Sequence, residues 1–249
     1  MLDSLLNKPL KLARMHDFCP SKNPKLTVVF IHGIASDWRS FKSAIEYLEG
    51  TTSLKDVRFV AFDLLGSGKS LKSDKLNYDF KEQLEALDNA ILDLKVDTPV
   101  VLVGHSMGCL IAARYADLHK RKVKELILVS PPIYRPEDFK NPAFMLGQDE
   151  FKKVVFRNNP ALKEDKAFNN EMEKIVLNPK NYEVYCRLTK PTTIIFGLAD
   201  QIIASFNIPG LLRKNAKITA IETPGAHGVS HDKYAKILPI LERILNETV

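Results

Sequence analysis

Short, nearly uninterrupted apolar runs alternate with longer amphipathic stretches along this chain. Residues 26–31, 57–62, 100–103, 125–129, 192–196 and 217–221 are rich in β-branched and aromatic side chains and predict strands. Helix-like segments separate them at 38–48, 78–94, 106–119 and 206–214, and a last one runs to 246. Within 78–94, Leu84, Leu87, Ile91 and Leu94 recur at helical spacing. This alternation predicts an α/β protein with a mostly parallel, doubly wound sheet. It stops at Pro131. From there to Lys190 no strand pattern is visible, and helix-like segments carry Phe139, Phe144, Phe151, Phe156, Phe168 and Met172. Unstructured loops longer than about 15 residues are uncommon, so this stretch predicts a helical cap inserted into the sheet domain. The expected organisation is a core of residues 1–130 and 191–249 with a cap at 131–190.

Candidate chemistry clusters where predicted strands end. Gly104-His105-Ser106-Met107-Gly108 matches Gly-x-Ser-x-Gly and lies between an apolar strand and an apolar helix. A strand that turns abruptly into a helix brings backbone segments very close, and residues without Cβ relieve the clash. The serine is then lifted to a helix N-terminus, where free N–H groups favour developing negative charge. A serine hydroxyl is a poor nucleophile at neutral pH. It needs a base within hydrogen-bonding reach, and the base needs a carboxylate to orient it.

With this motif in its strand–turn–helix setting, the chain resembles the α/β-hydrolase superfamily, in which Ser, Asp or Glu, and His follow in that order. Gly197-Leu198-Ala199-Asp200, after the strand at 192–196, resembles the acid loop of that family. Pro224-Gly225-Ala226-His227-Gly228, after the last strand, resembles its histidine loop. The resemblance implies Ser106, Asp200 and His227 as the catalytic residues. His231 competes as base, while Asp232 lies too far along to replace Asp200 easily. His32-Gly33-Ile34 resembles the oxyanion loop and implies the backbone N–H groups of Ile34 and Met107 as donors, with Ala35 as a substitute for Ile34. On the same comparison His32 braces its loop and His105 takes no part in the chemistry.

The segment Asp63-Leu64-Leu65-Gly66-Ser67-Gly68-Lys69-Ser70 ends like a phosphate-binding loop, but that pattern requires glycine where Asp63 stands. It resembles instead the family's Asp-x-x-Gly-x-Gly-x-Ser turn, which supports the active-site loops. One departure is evident. The short stretch before residue 26 leaves little room for the family's opening hairpin, implying a lost strand or a remnant at 9–14.

The function this implies is a serine hydrolase acting through an acyl-enzyme, as a carboxylesterase on small or medium apolar acyl esters. Acyltransferase, thioesterase and C–C bond hydrolase activities use the same triad and stay open. A non-catalytic ligand-binding protein is the alternative of another class. No metal or organic cofactor is needed. The cap phenylalanines, with Met145, Leu146 and Met172, either line an acyl pocket or form the cap's own core.

Bulk properties change this picture little. The net charge of +6 comes from scattered lysines, and Lys120-Arg121-Lys122 reads as a solvated helix end rather than a nucleic-acid patch. Cys19, Cys109 and Cys186 form no CxxC spacing, which argues against a disulfide framework or structural zinc. Without a signal-peptide pattern or an apolar run of membrane-spanning length, the expected location is the cytoplasm. The expected partner is a small-molecule ester, with no nucleic acid; oligomeric state is not legible.

Overall fold

The computed structural model describes residues 9–200, 202–227 and 231–249, except the side chains of 231–236. Seven strands form one sheet among these residues, in the order β1-β3-β2-β4-β5-β6-β7. They are β1 (Ala13–Phe18), β2 (Leu26–Ile31), β3 (Val57–Asp63), β4 (Val100–His105), β5 (Val123–Val129), β6 (Thr192–Gly197) and β7 (Ile218–Thr223). β1 pairs antiparallel with β3, and all other pairings are parallel. The remnant expected at 9–14 is therefore displaced: a single opening strand lies at Ala13–Phe18. Its half-polar edge-strand pattern, with Arg14, His16 and Asp17, hides it from a search for apolar runs.

The central strands are apolar at successive positions because both faces of the sheet are covered. Val28, Phe30, Phe59, Val101, Val103 and Ile127 point to one side, where they meet α1 (Lys42–Glu49) and α8 (His231–Thr248). Val29, Ile31, Val60, Phe62, Leu102 and Leu126 point to the other. There they meet α2 (Phe80–Asp93), α3 (Met107–Leu118) and α7 (Ile208–Lys214). The predicted helix at 38–48 is divided, with a 3₁₀ turn at Trp38–Phe41 preceding α1. Asp37 caps that turn by accepting the Arg39 N–H.

Between β5 and β6 the chain forms α4 (Pro142–Asn158), a 3₁₀ turn (Pro160–Glu164), α5 (Lys166–Glu171), a π-helical turn (Met172–Val176) and α6 (Asn181–Arg187). This insert packs into the α2–α3 side of the core through Phe168, Met172, Ile175, Tyr182 and Tyr185. Gly66, with φ of +80°, makes one docking point. A Cβ there would fall 2.5 Å from the Ala167 Cβ, so the turn after β3 meets α5 only as glycine. Gln83 on α2 makes another. It accepts the Leu65 N–H, donates to the Leu65 carbonyl and donates to Glu171 Oε1. Among the described residues no helix is long and apolar enough to cross a membrane.

Candidate active site

The candidate side chains converge at the C-terminal ends of the parallel strands, where open α/β sheets place their ligand crevices. β4 ends at His105 and α3 begins at Met107, leaving Ser106 as the sole hinge between them. Ser106 pays for that position with φ of +50° and ψ of −118°, a backbone conformation that costs a non-glycine residue about 1–3 kcal/mol. The glycines on either side explain why the turn closes. A Cβ on Gly104 would lie 2.7 Å from the Cys109 amide nitrogen, and one on Gly108 would lie 2.0 Å from the Ile31 carbonyl oxygen. Neither contact is possible, so α3 reaches this close to β2 only as written. Cys109, also buried under the turn, donates its thiol to the Gly104 and Val129 carbonyls, and burial pushes its pKa well up. It serves packing, as a small buried hydrophobe does.

His227 brings its Nε2 to 3.0 Å from Ser106 Oγ. Its Nδ1 lies 3.0 Å and 3.2 Å from the two carboxylate oxygens of Asp200. With a carboxylate on Nδ1, the neutral ring carries its proton there and leaves Nε2 free to accept the serine proton. The Asp200 side chain is fully buried and also accepts the Ile202 N–H. Two loops carry these groups, and they interlock. Ala199 N–H donates to the Gly225 carbonyl, and a Cβ on Gly197 would lie 2.5 Å from that same oxygen. Tyr134, just past β5, donates its hydroxyl to the Ile202 carbonyl and secures the acid loop from the insert side.

The other histidines fall into place around this group. His32 is fully buried and joins two loops: its Nδ1–H donates to the Gly33 carbonyl, while Nε2 accepts the Leu64 N–H. Burial lowers its pKa and keeps it neutral. His105 stacks obliquely near His227, with ring centroids 5.5 Å apart, and its Nε2 lies 3.4 Å from the His227 carbonyl. Burial, reinforced by His227, pushes its pKa down to about 3. His119 stacks on Tyr115 and His16 pairs with Glu49, both away from Ser106. His231 opens α8, but its side chain and Gly228 lie outside the described residues, as does the Asp232 side chain.

Ile34 and Ala35 border a cavity of about 270 Å³ that they share with His105, Ser106 and His227. Its remaining wall comes from α4 and the turn after it, through Phe151, Val155, Asn158, Asn159 and Leu162. Neither the Ile34 nor the Met107 N–H is engaged by an acceptor among the described residues. Met107 is the first residue of α3, so its amide has no intrahelical partner. The insert's aromatic residues divide unevenly. Phe151 lines the cavity and meets the His227 ring edge-on at 6.5 Å. Phe139 and Phe144 pack on Tyr134, Phe156 packs on Phe168, Met172 is core and Leu146 is exposed. Most of them therefore hold the insert together.

Asp63-Leu64-Leu65-Gly66-Ser67-Gly68-Lys69-Ser70 is a brace. The Asp63 carboxylate accepts the Trp38 and Lys69 N–H groups, and a Cβ on Gly68 would collide with that carboxylate. Sequence reasoning missed Gln83 and Glu171. Gln83 was the readable one, because it falls on the apolar face of α2 in register with Leu87 and Ala90. A larger cleft of about 590 Å³ opens at the opposite, N-terminal end of β4 and β5 among Lys95, Arg121 and Lys122, and its lining holds no nucleophile–base pair.

A family model described as alpha/beta hydrolase fold matches residues 27–169. The relative named "Probable lysophospholipase BODYGUARD 5" from Arabidopsis thaliana is 35% identical over 130 residues, which make up 52% of this chain and 29% of that protein. The chain thus matches less than a third of that relative's length. Among solved structures, bromoperoxidase from Bacillus anthracis superposes with a TM-score of 0.73 at 17% identity, covering 98% of both chains. The meta-cleavage product hydrolase from Pseudomonas fluorescens gives 0.70 at 16% identity, again over 98% of both. Likeness at such identities speaks to the fold alone.

Proposed function

The chain belongs to the alpha/beta hydrolase fold family, and from that premise we propose that it is a serine hydrolase acting through an acyl-enzyme. One observation carries this reading: Ser106 Oγ lies 3.0 Å from His227 Nε2, whose other nitrogen faces the buried Asp200 carboxylate. In the proposed cycle His227 takes the Ser106 proton as Oγ attacks the acyl carbon. Asp200 holds the imidazole in the productive tautomer and stabilises the imidazolium. The Ile34 and Met107 amides receive the oxyanion, a contribution of about 10²–10³ in turnover per donor. His227 then protonates the leaving oxygen. Water, deprotonated by the same imidazole, attacks the acyl carbon and releases the acid while the proton returns to Ser106.

The insert serves as a cap over this centre, on this reading, and closes the cavity with Phe151, Val155 and Leu162. Those apolar walls and the modest volume favour carboxylic esters with small or medium acyl groups. A fluorophosphonate probe tests the proposal. Native protein should label and hydrolyse p-nitrophenyl butyrate, and Ser106→Ala should do neither. Failure of native protein to label, beside a reactive control hydrolase, would overturn it.

A further inference from the structure

A second cavity, of about 160 Å³, adjoins the one at Ser106, and Ala35, Asn159 and Leu162 line both. Its character is different. The walls at Ser106 are mainly aliphatic and aromatic, whereas this side cavity presents Ser36, Ser67, Lys72, Asp165 and Glu171. Glu171 is the unusual member. It is 2% exposed, and one carboxyl oxygen accepts from Gln83 Nε2. The other takes no hydrogen bond among the described residues, although the side chain lines the cavity. The cycle proposed above leaves this carboxyl unused.

We propose that this cavity binds the leaving group of the substrate, and that the group is a neutral, polyhydroxylated alcohol of glyceryl type. The inference rests on the serine-hydrolase reading and names its substrate class. Burial, with Asp165 nearby, holds the Glu171 carboxyl well above the usual carboxylate range. A carboxyl that keeps its proton both donates and accepts, and so does an alcohol hydroxyl. The Ser36 and Ser67 hydroxyls match the same chemistry. Lys72 and Asp165, of opposite formal charge, both line the cavity, so it favours neither sign of charge, and a neutral polyol fits it.

The acyl chain then lies against Phe151, Val155 and Leu162. Hydrolysis consumes one ester and one water and yields one acid and one glycerol, whose released oxygen takes its proton from His227. The product alcohol is of the kind formed when acylglycerols lose their acyl groups.

The test compares 1-butyrylglycerol with n-propyl butyrate, which share the acyl group and the three-carbon alcohol and differ by two hydroxyls. Sites that hydrogen-bond substrate hydroxyls discriminate strongly against analogues lacking them. Native protein should favour 1-butyrylglycerol by about tenfold or more in kcat/KM. Glu171→Leu should lose about tenfold more on 1-butyrylglycerol than on n-propyl butyrate, and Glu171→Gln should keep most of the preference. A purely structural Glu171 would lower both esters alike. If Glu171→Leu does not fold, Ser67→Ala decides, with an expected fall in the ratio of about threefold. A native ratio near one, or a ratio that neither variant moves, would overturn the inference while p-nitrophenyl butyrate turnover left the serine-hydrolase reading intact. Loss of that turnover in native protein would defeat both.

Discussion

Two glycine-rich turns in this molecule follow parallel strands, and both contain serine, yet they put it to opposite uses. After β4, Ser106 stands alone between strand and helix, and among the described residues its hydroxyl meets only His227. After β3, Ser70 donates to the Asp63 carbonyl and accepts the Ala13 N–H, so its oxygen is fully engaged in backbone contacts. The carboxylates divide in the same way. Asp200 faces a titratable ring, whereas Asp63 faces two backbone amides. Glycine allows both turns to close, but only the first leaves a hydroxyl beside a base. On the proposed reading, reactivity follows from which hydrogen bonds are left unmade.

The largest expected effect separates the two serines. Ser106→Ala should reduce p-nitrophenyl butyrate turnover by about 10⁴-fold or more. Ser70→Ala should stay within about threefold of native kcat once the folded fraction is taken into account. Equal losses in the two variants would break the comparison. Asp63→Ala should act on stability, because it orphans two backbone donors. Urea unfolding should show a loss of about 3 kcal/mol, and a variant as stable as native would refute the brace.

The smallest effect concerns Glu171, which reaches the β3 turn through Gln83. Its folded pKa is raised by burial, so the folded protein binds this proton more tightly than the unfolded chain. Its contribution to stability is complete below the unfolded value of about 4.3 and declines as pH rises above it. Glu171→Gln has no such proton to lose. It should flatten the pH dependence of unfolding free energy above about pH 4.3, and an unchanged slope would contradict the assignment.

Much of this arrangement is legible in the sequence. The parallel strands are apolar at successive positions because both faces are covered, so β2 to β7 stood out with shifts of only a few residues. The resemblance to the α/β-hydrolase superfamily implied Ser106, Asp200 and His227, each just after a strand, and the structure brings Ser106 to His227 and His227 to Asp200 within hydrogen-bonding distance. β1 was misplaced because Arg14, His16 and Asp17 break its apolar pattern. The insert's phenylalanines could not be sorted from sequence, since Phe151 at the cavity and Phe144 in the packing cluster are chemically the same residue. Glu171 was hidden for another reason. A glutamate on a short helix reads as solvated until a neighbour such as Gln83 is known to cover it.

The insert interrupts the chain between the serine and its two proposed partners, and this gives the molecule a natural seam. A break in the connection after α4, near Asn159, would leave Ser106, Ile34 and Met107 on one fragment and Asp200 and His227 on the other. Each half would lack what the other carries. Turnover recovered on mixing would then count reassembled molecules, making the chain its own reporter of fragment complementation.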